Sequence, residues 1–141
     1  MSRIHLMRHG HALPGDFKTP DESRWLSARG REDVGRSGRA LVRWTRDGLP
    51  IDCIVCSPYS RTVQTAELMA RELGWTAEIV CLEALRVEAS PQRGVEELLG
   101  LGEASVLAVT HEPIVSSMAA LLAGSAQSSF HTSEIRVFED K

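Results

Sequence analysis

Three short segments carry side chains suited to binding and attacking a doubly charged anion: "RHGHA" at residues 8–12, "SPYSRTVQT" at 57–65 and "THEP" at 110–113. In the first, Arg8 stands beside His9. A cation next to an imidazole disfavours protonation, so His9 is expected to stay neutral and keep a ring nitrogen for attack. Gly10 permits positive φ and a close backbone approach, which suits a turn that binds an oxyanion. In the second segment, Arg61 falls in the first turn of a helix, a site where a cation is mildly unfavourable unless an anion is to be bound. Its guanidinium offers a planar fork matched to phosphate oxygens. In the third, His111 precedes a helix opened by Pro113 and is placed to donate to a phosphoryl oxygen.

Each of these residues also has a plainer reading. A lone histidine after a strand is more often structural, Arg61 could lie on a helix surface, and His111 could cap its helix with Glu112 as the useful charge. The combination decides between them. Two arginines, a neutral imidazole and a second histidine form a cage for a dianion, and phosphoryl transfer needs mainly positioning and charge neutralisation. No Asp-rich metal cluster or Walker-type glycine loop offers another route.

The elements that must bring these segments together are legible from hydropathy. Strand-like runs occur at residues 4–7, 51–56, 78–82 and 105–110, with a weaker one at 134–138. Helix-like stretches at 28–46, 60–73, 91–99 and 113–123 alternate with them. Gly74 and Gly124 suit left-handed helix caps, and Ser27 suits an N-cap. Strands such as "VLAV" are apolar on both faces, as when helices cover both sides of a largely parallel sheet. The expected fold is therefore α/β, one three-layer domain with a mostly parallel central sheet. In such sheets ligands sit at the carboxyl ends of the strands. All three polar segments follow strands.

The chain has 141 residues, 43% hydrophobic and 25% charged, with a net charge of −3, which gives no global attraction to nucleic acid or acidic membranes. Cys53, Cys56 and Cys81 are odd in number, and the C-x-x-C of the first two lies in a strand, where residues three apart face opposite sides. Free buried thiols in a reducing compartment are expected. Neither a secretory signal nor an apolar stretch of membrane-spanning length is visible, so a cytoplasmic location is expected. Residues 24–46 hold seven arginines against two acids. On a helical wheel, Arg36, Arg39, Arg43 and Arg46 oppose an apolar face of Val34, Gly38, Leu41 and Val42, which reads as a solvated surface.

The segments "LMRHGHA", "SPYSRTVQTA" and "VLAVTHEPIV" resemble the signature segments of the histidine phosphatase superfamily, the phosphoglycerate-mutase-like group. The short chain, "SRWLSARG" and the late "FHTSEI" resemble its SixA-like phosphohistidine phosphatase branch, and the likeness runs from Arg3 to about Val137. It implies a phosphatase without metal or cofactor, in which His9 is transiently phosphorylated and then hydrolysed. Arg8, Arg61 and His111 would hold the phosphoryl group. Arg24 matches a further substrate contact of that branch, although a loop arginine paired to Asp21 or Glu22 is an equal reading. The implied partner is a phosphohistidine protein or a small phosphate ester, with neither nucleic acid nor membrane involved.

The chain departs from the pattern in three places. Relatives acting on sugar phosphates carry an acid after the third strand to protonate the leaving oxygen. Here "CLEALRVEAS" offers Glu83 and Glu88, with neither assigned. His11 stands where SixA-like proteins often have an acidic residue, and reads as a surface residue. The chain ends at Lys141, soon after "SEIRVF", where relatives usually add a strand. The domain is thus expected over residues 1–141 without that last edge strand. A small-molecule phosphomonoesterase on the same scaffold and a non-catalytic binder of phosphorylated ligands are the alternatives. The second is disfavoured because a pure binder has no need of a nucleophile.

Overall fold

The computed structural model describes residues 2–46 and 48–140, so both ends of the expected domain, Lys141 included, lie outside the described residues. Strands β1 (Ser2–Arg8), β2 (Cys53–Cys56), β3 (Val80–Cys81), β4 (Ser105–Thr110) and β5 (Ile135–Asp140) form one sheet in the order β3-β2-β4-β1-β5. Every pairing is parallel except that of β5 with β1. Helices α1 (Ala28–Thr45), α2 (Ser60–Leu73), α3 (Pro91–Gly100) and α4 (Ile114–Ala123) connect the strands. The α/β architecture and the alternation of elements are as the hydropathy pattern implied. Among the described residues no helix is long and apolar enough to cross a membrane.

Strand alternation sorts the apolar residues into two cores. Ile4, Leu6, Val106 and Ala108 meet Val115, Met118 and Ala119 of α4 on one face. Met7, Ile54, Leu107 and Val109 meet Val34 and Leu41 of α1 and Met69 of α2 on the other. This double burial is why β4 is apolar at successive positions, and why helices are needed on both faces.

The local signals act as expected at several ends. Ser27 caps α1 by accepting from the Gly30 amide at 3.0 Å. Gly74 and Gly124 close α2 and α4 in the left-handed region, at φ 68° and 73°. The run at 78–82 keeps only two strand residues, then passes into a 3-10 turn at Glu83–Leu85. As the sheet edge, β3 is exposed and has little apolar surface to extend it. The thiols are not all buried: Cys81 is exposed, while Cys56 lies beneath it, 3.9 Å between sulfurs.

Gly10 differs from expectation. Positive φ among the glycines is confined to Gly74, Gly102 and Gly124. A Cβ on Gly10 would stand 2.7 Å from Val34 Cγ2 and 3.0 Å from the Gly30 carbonyl oxygen. Gly30 is tighter still, with an added Cβ 2.1 Å from the His11 carbonyl oxygen. These glycines let α1 dock on the chain leaving β1, and the Gly10 amide already donates to Thr65 Oγ1 at 3.1 Å. Its reason is packing, not an oxyanion turn.

Candidate active site at the strand tips

The sheet register assembles the site. Arg8 is opposite Thr110 and Cys56 opposite Val109, so His9, Ser57 and His111 are the next residues out at neighbouring strand ends. Backbone bonds continue the pattern: the His9 amide donates to the Thr110 carbonyl and the Ser57 amide to that of Val109. Strand β4 lies between β1 and β2, a change of strand order that opens a crevice at the carboxyl edge of such a sheet.

His9 is 8% exposed, and both of its ring nitrogens are engaged. Nδ1 is 2.7 Å from the Gly10 carbonyl oxygen, which can only accept, so Nδ1 carries the proton. Nε2 is thereby left with its lone pair and accepts from Arg61 Nε–H at 3.3 Å. Burial above all lowers the His9 pKa to about 4; the Gly10 carbonyl opposes this, and the charges of Arg61, Arg8 and Arg24 add to it. His9 is a neutral imidazole at physiological pH, held in one tautomer.

His111 faces His9 edge-on at 5.3 Å between ring centroids and is almost wholly buried. Its Nε2 shares a hydrogen bond of 2.8 Å with Ser57 Oγ, and Nδ1 has no partner. Burial, then His9 and Arg61, push its pKa down to about 2. Tyr59 stacks edge-on against it at 4.7 Å. The Arg61 guanidinium lies over the same tyrosine ring at 4.8 Å.

Arg61, in the first turn of α2, is 5% exposed. Besides His9 it donates from Nη1 to the Asp21 carbonyl at 2.8 Å and from Nη2 to Asp21 Oδ2 at 3.2 Å. Arg8 is held by a bond from Nη1 to the Phe130 carbonyl at 2.8 Å, while its Nε is buried without a partner. Glu112 accepts from the Phe130 amide and so pins the segment that holds Arg8.

Arg24 bonds through Nε to the Leu13 carbonyl at 2.8 Å and through Nη1 to Asp21 Oδ1 at 3.0 Å. It pairs with Asp21, which also holds Arg61, so the loop pairing expected of it is observed. His11 is exposed and shares a hydrogen bond with the α1 cap, Ser27, at 2.8 Å.

The two unassigned acids belong to one cluster. Arg86 donates to Glu88 at 2.7 Å, to Glu83 at 3.5 Å and to Glu22 at 2.9 Å. Glu88 also accepts from the Tyr59 hydroxyl at 3.2 Å. The Arg86 hydrogen bond is the main reason its carboxyl is held below the usual range. Partial burial works against ionisation of Asp21, but the bonds from Arg24 and Arg61 outweigh it and also keep that carboxyl low. Asp21 and Glu88 are thus both held in their charged form by arginines.

Sequence reading missed Ser57, Tyr59 and the second partner of Asp21. "SPYS" lies in a quoted segment, but only the register shows that its serine reaches His111.

Residues 4–91 match the family model described as histidine phosphatase superfamily (branch 1). The chain belongs to the histidine phosphatase superfamily. It is accordingly a phosphatase, as its three segments implied. Among solved structures it is similar to the protein histidine phosphatase SixA complexed with tungstate, at 26% identity and a TM-score of 0.86, over 96% of this chain and 86% of that one. It is also similar to a structure from Agrobacterium tumefaciens assigned to phosphohistidine phosphatase SixA, at 22% identity, TM-score 0.83, over 96% and 90% of the two chains. A phosphoserine phosphatase variant from Entamoeba histolytica in complex with phosphoserine matches at 14% identity and a TM-score of 0.74, over 99% and 91%. These last two, at their low identity, speak for the superfamily fold alone. No curated protein matches the sequence.

Proposed function

We propose that the protein is a phosphohistidine phosphatase working through a transient phosphohistidine on His9. His9 Nε2 attacks the phosphorus as the bond between phosphorus and the substrate imidazole breaks. Arg8, Arg61 and His111 hold the non-bridging oxygens, with Arg24 at the rim as a further substrate contact. The departing ring leaves as neutral imidazole once its other nitrogen has taken a proton from water, which an imidazole does near neutral pH. Water then attacks the phosphorus on His9, releasing inorganic phosphate and restoring the free ring.

The observation that carries this reading is the state of the nearby carboxyls. Asp21 and Glu88 are both held ionised by arginines, and neither has a proton to give to a leaving oxygen. An alkoxide needs such a proton from the protein, whereas the ring of a phosphohistidine takes its own from water near neutral pH. The 26% identity to a SixA bound to an oxyanion of phosphate-like shape supports the same choice.

The test compares a phosphohistidine peptide with phosphoserine and simple aryl phosphates across pH. Turnover is expected to favour phosphohistidine throughout. Strong ester hydrolysis that disappears in Glu83→Gln or Glu88→Gln would replace this reading with that of a small-molecule phosphomonoesterase.

A further inference from the structure

Arg61 is fully engaged, yet its partners are the chain's own groups. Its guanidinium spans two of them: Nε–H points at the lone pair of His9 Nε2, while Nη1 and Nη2 take the carbonyl and carboxylate of Asp21. The second carboxylate oxygen of Asp21 takes Arg24. A carboxylate therefore sits between two arginines, one of which also covers a nucleophilic nitrogen.

Building on the phosphoryl site proposed above, we propose that Asp21 is a resting latch. Its carboxylate fills the anion position on Arg61 and keeps that guanidinium on the His9 lone pair until a phosphoryl dianion displaces it. The latch is built to yield. Asp21 is itself exposed, so water takes over its carboxylate once it leaves the buried Arg61. An entering dianion carries twice the charge, and Arg8 Nε and His111 Nδ1, on two residues proposed above to hold the phosphoryl group, are buried without a partner. A carboxylate-type monoanion brings no more charge than Asp21 itself and gains little by replacing it. Asp21 thus selects for doubly charged groups and shields His9 when none is bound. The latch is also tethered, since its neighbour Glu22 pairs at 2.9 Å with Arg86, whose guanidinium lies over the Tyr59 ring.

The test uses inorganic phosphate as ligand and diethyl pyrocarbonate as a probe of the His9 lone pair. Calorimetric titration of the intact protein is expected to show phosphate binding roughly fivefold tighter in Asp21→Ala, with Asp21→Asn between it and wild type. Carbethoxylation of His9, followed by peptide mass spectrometry, is expected to speed up in the same order. Melting curves of both variants identify a folding defect, and the milder Asn variant serves if the Ala variant misfolds. Unchanged or weaker phosphate binding, or unchanged labelling of His9, would overturn the latch. Arg61→Ala separates the two layers: phosphate binding that survives it, or is absent from wild type, removes the site reading itself.

Discussion

A histidine in water exchanges its proton near pH 6.5, but at the tip of β1 the equilibrium is displaced by burial. With its pKa lowered to about 4, His9 keeps its lone pair down to that pH. The acid limb of kcat/KM for the free enzyme is therefore expected to fall only as pH drops through about 4; a limb centred near 6.5 would show the ring to be solvated. In the proposed mechanism, replacement by alanine leaves no atom to take the phosphoryl group. His9→Ala is expected to lose at least about a thousandfold in kcat while keeping the wild-type circular dichroism spectrum. Ser57→Ala removes the hydrogen bond to the His111 ring, and the expected loss is about tenfold in kcat with little change in melting temperature. His9, His111 and the arginines beside them were readable from three segments because each segment follows a strand. The acids were not. Glu83 and Glu88 looked alike in sequence, and only Arg86, which binds both and holds Glu88 ionised, shows why neither is free.

At the level of elements, α1 docks on the chain leaving β1 through Gly10 and Gly30. Gly30→Ala would drive a methyl into the His11 carbonyl, and the expected cost is about 3 kcal/mol of unfolding free energy by urea titration. Gly100, at the end of α3, has nothing within 4 Å of an added Cβ, so Gly100→Ala is expected to be neutral or stabilising by about 0.5 kcal/mol. Periodicity and caps are properties of consecutive residues, which is why α1 to α4 could be read from the chain. The reason for Gly10 lies in a helix some twenty residues away, so local sequence suggested a turn instead. The contact between Asp21 and Arg61 spans forty residues and left no local mark.

For the whole molecule, the buried histidines set a pH limit. His5, His9 and His111 all have lowered pKa values in the fold, chiefly from burial, whereas the unfolded chain protonates them near 6.5. Their contribution is complete above pH 6.5 and is lost as pH falls below it, through about 4 for His9 and further for His111. Each costs up to about 1.4 kcal/mol per pH unit. Denaturant midpoints are expected to fall steadily from pH 6.5 to 4; a flat profile would mean the three rings are protonated in the native state. The arginine-rich α1 is partly neutralised by Asp33 on its own surface, which meets Arg29 and Arg36, and by Glu72 of α2, which meets Arg39. This fits the solvated face expected of it.

The placement of His9, Ser57 and His111 one step beyond paired rungs makes turnover a gauge of threading. Side chains alternate across a strand, so a slip of a single residue between β1 and β4 would swing one imidazole into the interior and dismantle the pair. After refolding, the fraction of active molecules therefore counts those whose central strands have found their proper alignment.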